Sequence, residues 1–271
     1  MTMLAGVVGN PIGHSLSPAI HGAWIKAAGI DASYRAFEAP LDGFAAFVEQ
    51  VRAIGVRGLN VTIPFKEEAL ALAGQASELA RMAGAANLLL LSDNGVAADN
   101  TDGPGLLAAL KRQAGFEPAK GPAVILGAGG AARGAAAALK LAGCPQVRIL
   151  NRTRDRADAL AAELGRGVIA FGSAEAAFDS VAVIINATSL GLGGGEGPAA
   201  PFERAPADAV AMDMVYKPLM TRFLDEAARR GHPVVDGLEM LIGQARPSFE
   251  AFYGQPAPDI DVRAVALEAM R

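Results

Sequence analysis

The sequence predicts an α/β protein built as two domains. Short apolar runs alternate with amphipathic stretches of helical spacing along most of the chain, the pattern of strands joined by helical crossovers. A strand, a glycine turn and a helix start occur together over 122–142 and open a second series of such units. The 271 residues amount to about 1.8 average domains of ~150 residues.

In chain order, LAGVVG (4–9) is a strand. SPAIHGAWIKAAG (17–29) is a helix, with Ser17 as N-cap, Pro18 in the first turn and Gly29 as the stop. SYRAFEA (33–39) alternates as a strand, FAAFVEQVRAIG (44–55) has helical spacing, and GLNVTI (58–63) is a strand again. FKEEALALA and ASELARMAG are helical, NLLLL (87–91) is a strand, and DNTDGPGLLAALKRQAG (99–115) is a turn followed by a helix. The second series starts with strand PAVIL (122–126), the turn GAGGAA, a helix to Ala142 and strand VRILN. Strands follow at 168–171, 181–187, 210–215 and 233–237, with helices near 155–164 and 220–230. A long helix over 238–254 contains Pro247, which should kink or break it.

Composition excludes several classes. The net charge of −4, from 24 basic and 28 acidic residues, argues against non-specific nucleic-acid binding. A single cysteine, Cys144, excludes an internal disulfide framework and a multi-cysteine zinc site. The three histidines, His14, His21 and His232, are too scattered for a metal site, so no metal is expected. The first 25 residues carry no Lys, Arg, Asp or Glu, but they lack a basic start and are broken by Asn10, Pro11, Gly13 and Pro18, so no export signal is expected. The later uncharged stretch from Ser180 to Gly195 is too short and too glycine-rich to span a bilayer. A soluble cytoplasmic protein without membrane or nucleic-acid partners is the expectation. It would act on a small molecule, as a monomer or homodimer.

The glycines carry chemical information. There are 32 of them, well above the usual ~7%, and they cluster. In VILGAGGAAR, Gly127 makes the tight turn and Gly129 lets the backbone approach a pyrophosphate. The N–H groups of Ala128, Gly130 and Ala131 and the positive helix end then face the anion. A bare G-x-G is weak, but here a strand precedes it, a helix follows, and a second strand lies about 20 residues on. After that second strand stand Asn151, Arg152, Thr153, Arg154, Asp155 and Arg156. A carboxylate at the end of the strand would suit a ribose 2′-hydroxyl. Guanidinium groups fork onto a 2′-phosphate instead, so the cofactor is expected to be NADP. Arg154 is as well explained by a solvated helix start. The glycine loop with Thr188 and Ser189 follows another buried strand, where a ligand would meet it beyond the carboxyl end of the sheet.

The N-terminal half holds polar clusters where strands end or helices begin: Ser15 and Ser17, then Asn60, Thr62 and Lys66, then Asn87, then Asp102. Hydroxyl donors suit a carboxylate, and amides suit ring hydroxyls. The segments GNPIGHSLSPAIH, NVTIPFKEEA, GAAN, DNTDGPG, ILGAGGAARG, NRTRDRA, INATSLG, DMVYKP and DGLEMLIGQA, in this order, resemble the shikimate dehydrogenase family over essentially the whole chain. The resemblance implies NADPH-dependent reduction of 3-dehydroshikimate to shikimate. It implies a mixed or parallel α/β substrate domain (1–102 plus 238–271, the C-terminal helix returning to it) and a Rossmann-type NADP domain (103–237). It assigns the substrate carboxylate to Ser15 and Ser17, and the ring hydroxyls to Asn60, Thr62, Asn87 and Gln244. Lys66 and Asp102 become the catalytic pair. Asn151, Arg152, Thr153 and Arg156 take the 2′-phosphate side. Met214, Tyr216, Gly237, Met240 and Leu241 lie toward the nicotinamide.

The residues make chemical sense on their own terms. Hydride addition to a ketone builds negative charge on its oxygen, and Lys66 can supply both field and proton. Asp102 also suits an N-cap for the helix over 103–114. Leu88 and Arg222 depart from the family's usual Thr and Pro. A quinate-preferring dehydrogenase and a non-catalytic NADP sensor are the competing readings. Ser17 and Arg152 count against the first, and the intact Lys66 and Asp102 against the second.

Overall fold

The computed structural model describes residues 2–271. The chain separates into two compact units, one formed by the chain up to Thr101 together with Ile242–Arg271, the other by Asp102–Leu241.

The first unit is a six-stranded mixed sheet between helices. Its strands are β1 (Met3–Gly9), β2 (Ala32–Glu38), β3 (Val56–Val61), β4 (Gln75–Ala76), β5 (Leu88–Ser92) and β6 (Gly95–Asp99), in the order β2-β1-β3-β5-β6-β4. β1 runs parallel to β2 and β3, whereas β5 is antiparallel to both β3 and β6. The helices are α1 (Ser17–Ala28), α2 (Phe44–Ala53), α3 (Lys66–Leu72) and α4 (Glu78–Ala83).

Period-2 alternation along β3 sorts its side chains between the two faces. Leu59 and Val61 face a core of Phe44, Val48 and Val51 from α2, Ala69 from α3 and Phe65 just before it. Gly58 and Asn60 face the other way. A Cβ on Gly58 would lie 2.4 Å from the Phe252 ring, so the helix carrying Phe252 lies almost on the strand backbone. On that side His21, Trp24, Tyr34, Phe249 and Phe252 form an aromatic cluster, with His21 stacked on Tyr34 at 4.0 Å.

Helix α1 begins differently from the expectation. Ser17 is its first residue, and Leu16 occupies the cap position without a side-chain bond. The Ser17 N–H is taken up by the Ser15 hydroxyl oxygen at 3.3 Å. Gly29 ends the helix as expected, at φ 63°.

The second unit is a six-stranded parallel sheet. α5 (Asp102–Ala114) leads into β7 (Ala123–Leu126), α6 (Gly130–Leu141), β8 (Val147–Leu150), α7 (Arg154–Leu164), β9 (Val168–Ala170) and α8 (Ala174–Phe178). β10 (Val183–Asn186), β11 (Val210–Asp213), α9 (Arg222–Arg229) and β12 (Val234–Val235) complete it. The order β12-β11-β10-β7-β8-β9, with every pairing parallel, places the first strand of the unit, β7, beside the fourth, β10, at the centre. This is the doubly wound arrangement whose ligands sit beyond the carboxyl ends of the strands. β7, β10 and β11 are buried throughout, which is why they appear in sequence as unbroken apolar runs.

α10 (Gly237–Tyr253) is one helix, and α11 (Val262–Ala269) follows it. Pro247 neither ends nor splits α10, contrary to the expectation of a break. The only backbone donor missing is that to the carbonyl of Gly243, and buried Ile242, Ala245, Ser248, Phe249 and Phe252 hold the helix on both sides of the proline. Among the described residues no helix is long and apolar enough to cross a membrane, and no group of three or more His, Cys, Asp or Glu side chains could hold a metal ion.

Candidate active site

In the first unit the sheet topology gathers polar residues that are far apart in sequence. β5 runs antiparallel to β3 with Leu88 opposite Asn60, and Asp99 of β6 lies opposite Leu88. The end of β3, the start of β5 and the end of β6 therefore share one edge of the sheet. Asn60, Asn87 and Thr101 stand there, all buried. Gln244 and Ser248, four residues apart on α10, complete the cluster from one helical face.

The cluster is closely bonded. Asn60 Nδ2 donates to the Asn87 carbonyl at 3.2 Å and to Ser248 Oγ at 2.8 Å. Its Oδ1 accepts from the Tyr34 hydroxyl at 2.8 Å. Asn87 Nδ2 donates to Thr101 Oγ1 at 2.9 Å and to Gln244 Oε1 at 3.3 Å, and Asn87 Oδ1 accepts the Thr101 N–H at 2.7 Å. Ser248 Oγ donates to the Gln244 carbonyl at 3.1 Å. Burial, chiefly, raises the Tyr34 hydroxyl well above the ordinary tyrosine range, so Tyr34 is a neutral donor at all working pH. Each orientation is thus set by another member of the network, which gives the site a rigid polar floor.

Four other residues singled out from the sequence belong to the same unit. Ser15 is half-buried and Ser17 buried, in the turn after β1 and at the start of α1. Thr62 follows β3, its N–H donating to the Val8 carbonyl at 2.9 Å. Lys66 opens α3 and is half-buried, its carbonyl accepting the Ala86 N–H at 2.8 Å. Asp102 belongs to the second unit, where it is the first residue of α5. The sequence reading missed Tyr34, Thr101 and Ser248.

In the second unit the glycine turn has the geometry of an anion cradle. Gly127 has φ 114°, open to glycine at little cost, and its N–H donates to the Leu150 carbonyl at 2.7 Å. Gly129 precedes α6 without any side-chain cap. A Cβ on Gly129 or Gly130 would meet nothing within 4 Å, so open space lies in front of the helix end. Ala128 is half-buried and Ala131 exposed beside it. These features fit a pyrophosphate.

Past β8, Asn151 Nδ2 donates to the Thr153 carbonyl at 2.8 Å and shapes the turn. Arg152, Thr153 and Arg156 are exposed. Arg154 is held by Asp158 at 2.9 Å, one helical turn on, and is a solvated helix residue. Neither Arg152 nor Arg156 has an ion-pair partner among the described residues, so both are available to a phosphate. Thr188 and Ser189 follow β10, Met214 and Tyr216 follow β11, and Gly237, Met240 and Leu241 lie in the first turn and a half of α10. Burial raises the Tyr216 hydroxyl above its usual range. Gly237 has no room for a side chain, since a Cβ would lie 2.6 Å from the Met214 carbonyl.

A doubly wound parallel sheet with an open glycine turn and unpaired arginines after its second strand defines a dinucleotide-binding enzyme of the oxidoreductase class. Comparison with known proteins narrows the class. Residues 7–89 match the family model described as the shikimate dehydrogenase substrate binding domain, and residues 109–191 match that of shikimate / quinate 5-dehydrogenase. The shikimate dehydrogenase (NADP+) of Caulobacter vibrioides is 58% identical, covering 99% of this chain and 96% of its own. That of Maricaulis maris is 48% identical, covering 98% and 95%. The crystal structure of shikimate 5-dehydrogenase from Thermus thermophilus in complex with NADP(H) and shikimate superposes with a TM-score of 0.88 at 40% identity, covering 98% of this chain and 99% of that one. The chain belongs to the shikimate dehydrogenase family.

Proposed function

We propose that this protein catalyses the reversible, NADPH-dependent reduction of 3-dehydroshikimate to shikimate. The observation that carries the reading is the rigid polar floor of Asn60, Asn87, Thr101, Gln244 and Ser248. A ring bearing several hydroxyls needs fixed donors and acceptors, and a floor oriented internally provides them without reorganisation. Ser15 and Ser17 bind the substrate carboxylate. Asn60, Thr62, Asn87 and Gln244 take the ring hydroxyls. The N–H groups of the Gly127–Ala131 turn hold the cofactor pyrophosphate, and Asn151, Arg152, Thr153 and Arg156 hold its 2′-phosphate. Thr188, Ser189, Met214, Tyr216, Gly237, Met240 and Leu241 receive the nicotinamide half.

When bound, NADPH supplies the hydride. Lys66 faces the ketone oxygen, stabilises the charge that grows on it, and gives it a proton through Nζ. Asp102 accepts a hydrogen bond from the neighbouring substrate hydroxyl and so orients the ring. The test is an absorbance assay at the reduced-nicotinamide band, crossing shikimate and quinate with NADP and NAD. Shikimate with NADP is expected to be much the fastest pair. Equal rates with quinate would overturn the substrate, and equal rates with NAD would overturn the cofactor.

A further inference from the structure

The second unit contains a buried polar cluster that the chemistry above leaves unused. β10 and β11 pair with Asn186 opposite Asp213, at the carboxyl end of the sheet. Asp213 is 0% exposed, and among the described residues no cation pairs with it. Three donors serve its carboxylate instead: the Thr221 hydroxyl at 2.6 Å, the Val215 N–H at 2.9 Å and Asn186 Nδ2 at 3.0 Å. Burial raises its pKa, and these three bonds oppose the rise.

Asn186 passes this anchoring on. Its Nδ2 also donates to the Leu190 carbonyl at 3.1 Å, and its Oδ1 accepts the Thr188 N–H at 3.0 Å and the Thr188 hydroxyl at 2.7 Å. Thr188 in turn borders the glycine turn, since a Cβ on Gly127 would lie 3.1 Å from its methyl carbon. At the far end of the loop, Gly191 at φ 96° packs on Thr221 and Asp213, with 3.6 Å and 3.8 Å available to a Cβ. The loop from Thr188 to Gly191 is therefore bonded to Asn186 at Thr188 and Leu190 and packed on Thr221 and Asp213 at Gly191, and Asp213 holds both Asn186 and Thr221. A buried charge without a counter-ion is costly to keep, and packing alone has no need of it.

We propose that Asp213 is a positioning residue for the cofactor. Through Asn186 and Thr221 it fixes the Thr188–Gly191 loop against the Gly127 turn, in the shape that receives the nicotinamide half. The inference rests on the NADP reading given above. It separates the two halves of the cofactor: the adenosine half is held by the turn after β8, which this cluster does not touch.

The test measures binding of NADPH and of adenosine 2′,5′-bisphosphate, which lacks the nicotinamide half, to the wild type and three variants checked for folding by circular dichroism. Asp213→Asn, and the nearly isosteric Thr221→Val, should each weaken NADPH about tenfold, the scale of one charge-assisted hydrogen bond. Both should bind the bisphosphate as the wild type does. Thr221→Ser keeps the hydroxyl and should keep the NADPH affinity. Unchanged NADPH affinity in folded Asp213→Asn and Thr221→Val overturns the proposal, as does an equal loss for the bisphosphate, which would mark a general disturbance of the unit. A wild type that binds neither compound overturns the cofactor reading and this proposal with it.

Discussion

Asn60 commits both of its amide hydrogens inside the protein, to Asn87 and Ser248. It can therefore only accept from a ligand, through the lone pair of Oδ1 that Tyr34 leaves open. Asn60, Asn87 and Gln244 were legible because each sits in a distinctive segment. Tyr34, Thr101 and Ser248 were not, because an isolated hydroxyl in an apolar run carries no spacing signal. Ser248 lies one helical turn from Gln244, but the sequence does not say which face of α10 meets the sheet. At this scale the reaction itself can be tested. Lys66 acts on charge that appears only as the hydride arrives, so Lys66→Ala should lower kcat by ~10²–10⁴ with a much smaller change in KM. Asp102→Asn should also lower kcat. Steady-state kinetics check both, and a near wild-type kcat in folded Lys66→Ala would move the proton donor elsewhere. Arg152 is exposed, so losing it leaves the fold intact. Arg152→Ala should raise KM for NADP roughly ten- to hundred-fold and leave KM for NAD nearly unchanged, read from the two cofactor titrations.

Among the elements, legibility followed apolar patterning more than length. Strands β7, β10 and β11 announced themselves as buried apolar runs. β6 was missed, although Asp93 and Asn94 close a hairpin in which Ser92 pairs with Gly95, whose φ of 118° suits only glycine. Its sequence, GVAAD, is small and only weakly apolar. The antiparallel pairing of β5 with β3 makes the first sheet the mixed one of the two expected forms and sets Asn87 beside Asn60, and the missed hairpin returns the chain to bring Thr101 there. β4 has two residues, too few for any periodicity. α11 follows Asp261, whose side chain accepts the Ala264 N–H at 3.1 Å, a cap that the sequence reading did not use. The chain stays helical through Pro247, rather than breaking there, because intrinsic propensity gives way to packing. The contact of α10 with β3 gives a test at this scale. Gly58→Ala would drive a methyl group into Phe252 at 2.4 Å and the Leu89 carbonyl at 2.7 Å, and should cost about 1–3 kcal/mol in urea unfolding. Adding Phe252→Leu should recover only part of this, because the carbonyl cannot withdraw. Full stability in Gly58→Ala would show that helix and strand can separate freely.

For the whole molecule, stability should carry the mark of His21. It is fully buried, and neither ring nitrogen has a hydrogen-bond partner. Burial lowers its pKa from 6.5 to about 3. The unfolded chain therefore binds a proton that the folded chain refuses, between those two values. The contribution of this group to stability is most favourable above pH 6.5 and falls as pH drops through that window, by ~1.4 kcal/mol per unit. Between pH 8 and pH 5 this one group should remove about 2 kcal/mol, the ~1.4 kcal/mol slope acting over the 1.5 units below 6.5. His21→Phe, which also removes two unsatisfied polar atoms, should lose that much less over the same interval in urea titrations. An identical pH dependence in the two proteins would show that His21 finds a partner or a proton in the fold.

The first unit draws on both ends of the chain, with Ile242–Arg271 completing what residues before Thr101 begin. During synthesis the ribosome makes β1 to β6 early, then the whole second unit, and only afterwards Gln244, Ser248 and Phe252. Until those last residues emerge, Asn60 lacks its bond to Ser248, Asn87 its bond to Gln244, and Gly58 lies uncovered. The second unit, whose strands are contiguous in the chain, faces no such delay. A chain ended early by a premature stop after Leu241 would keep every strand of the nucleotide sheet and lose two side chains from the substrate floor. Translation thus adds Gln244 and Ser248 to the substrate floor only after the whole nucleotide sheet has been made.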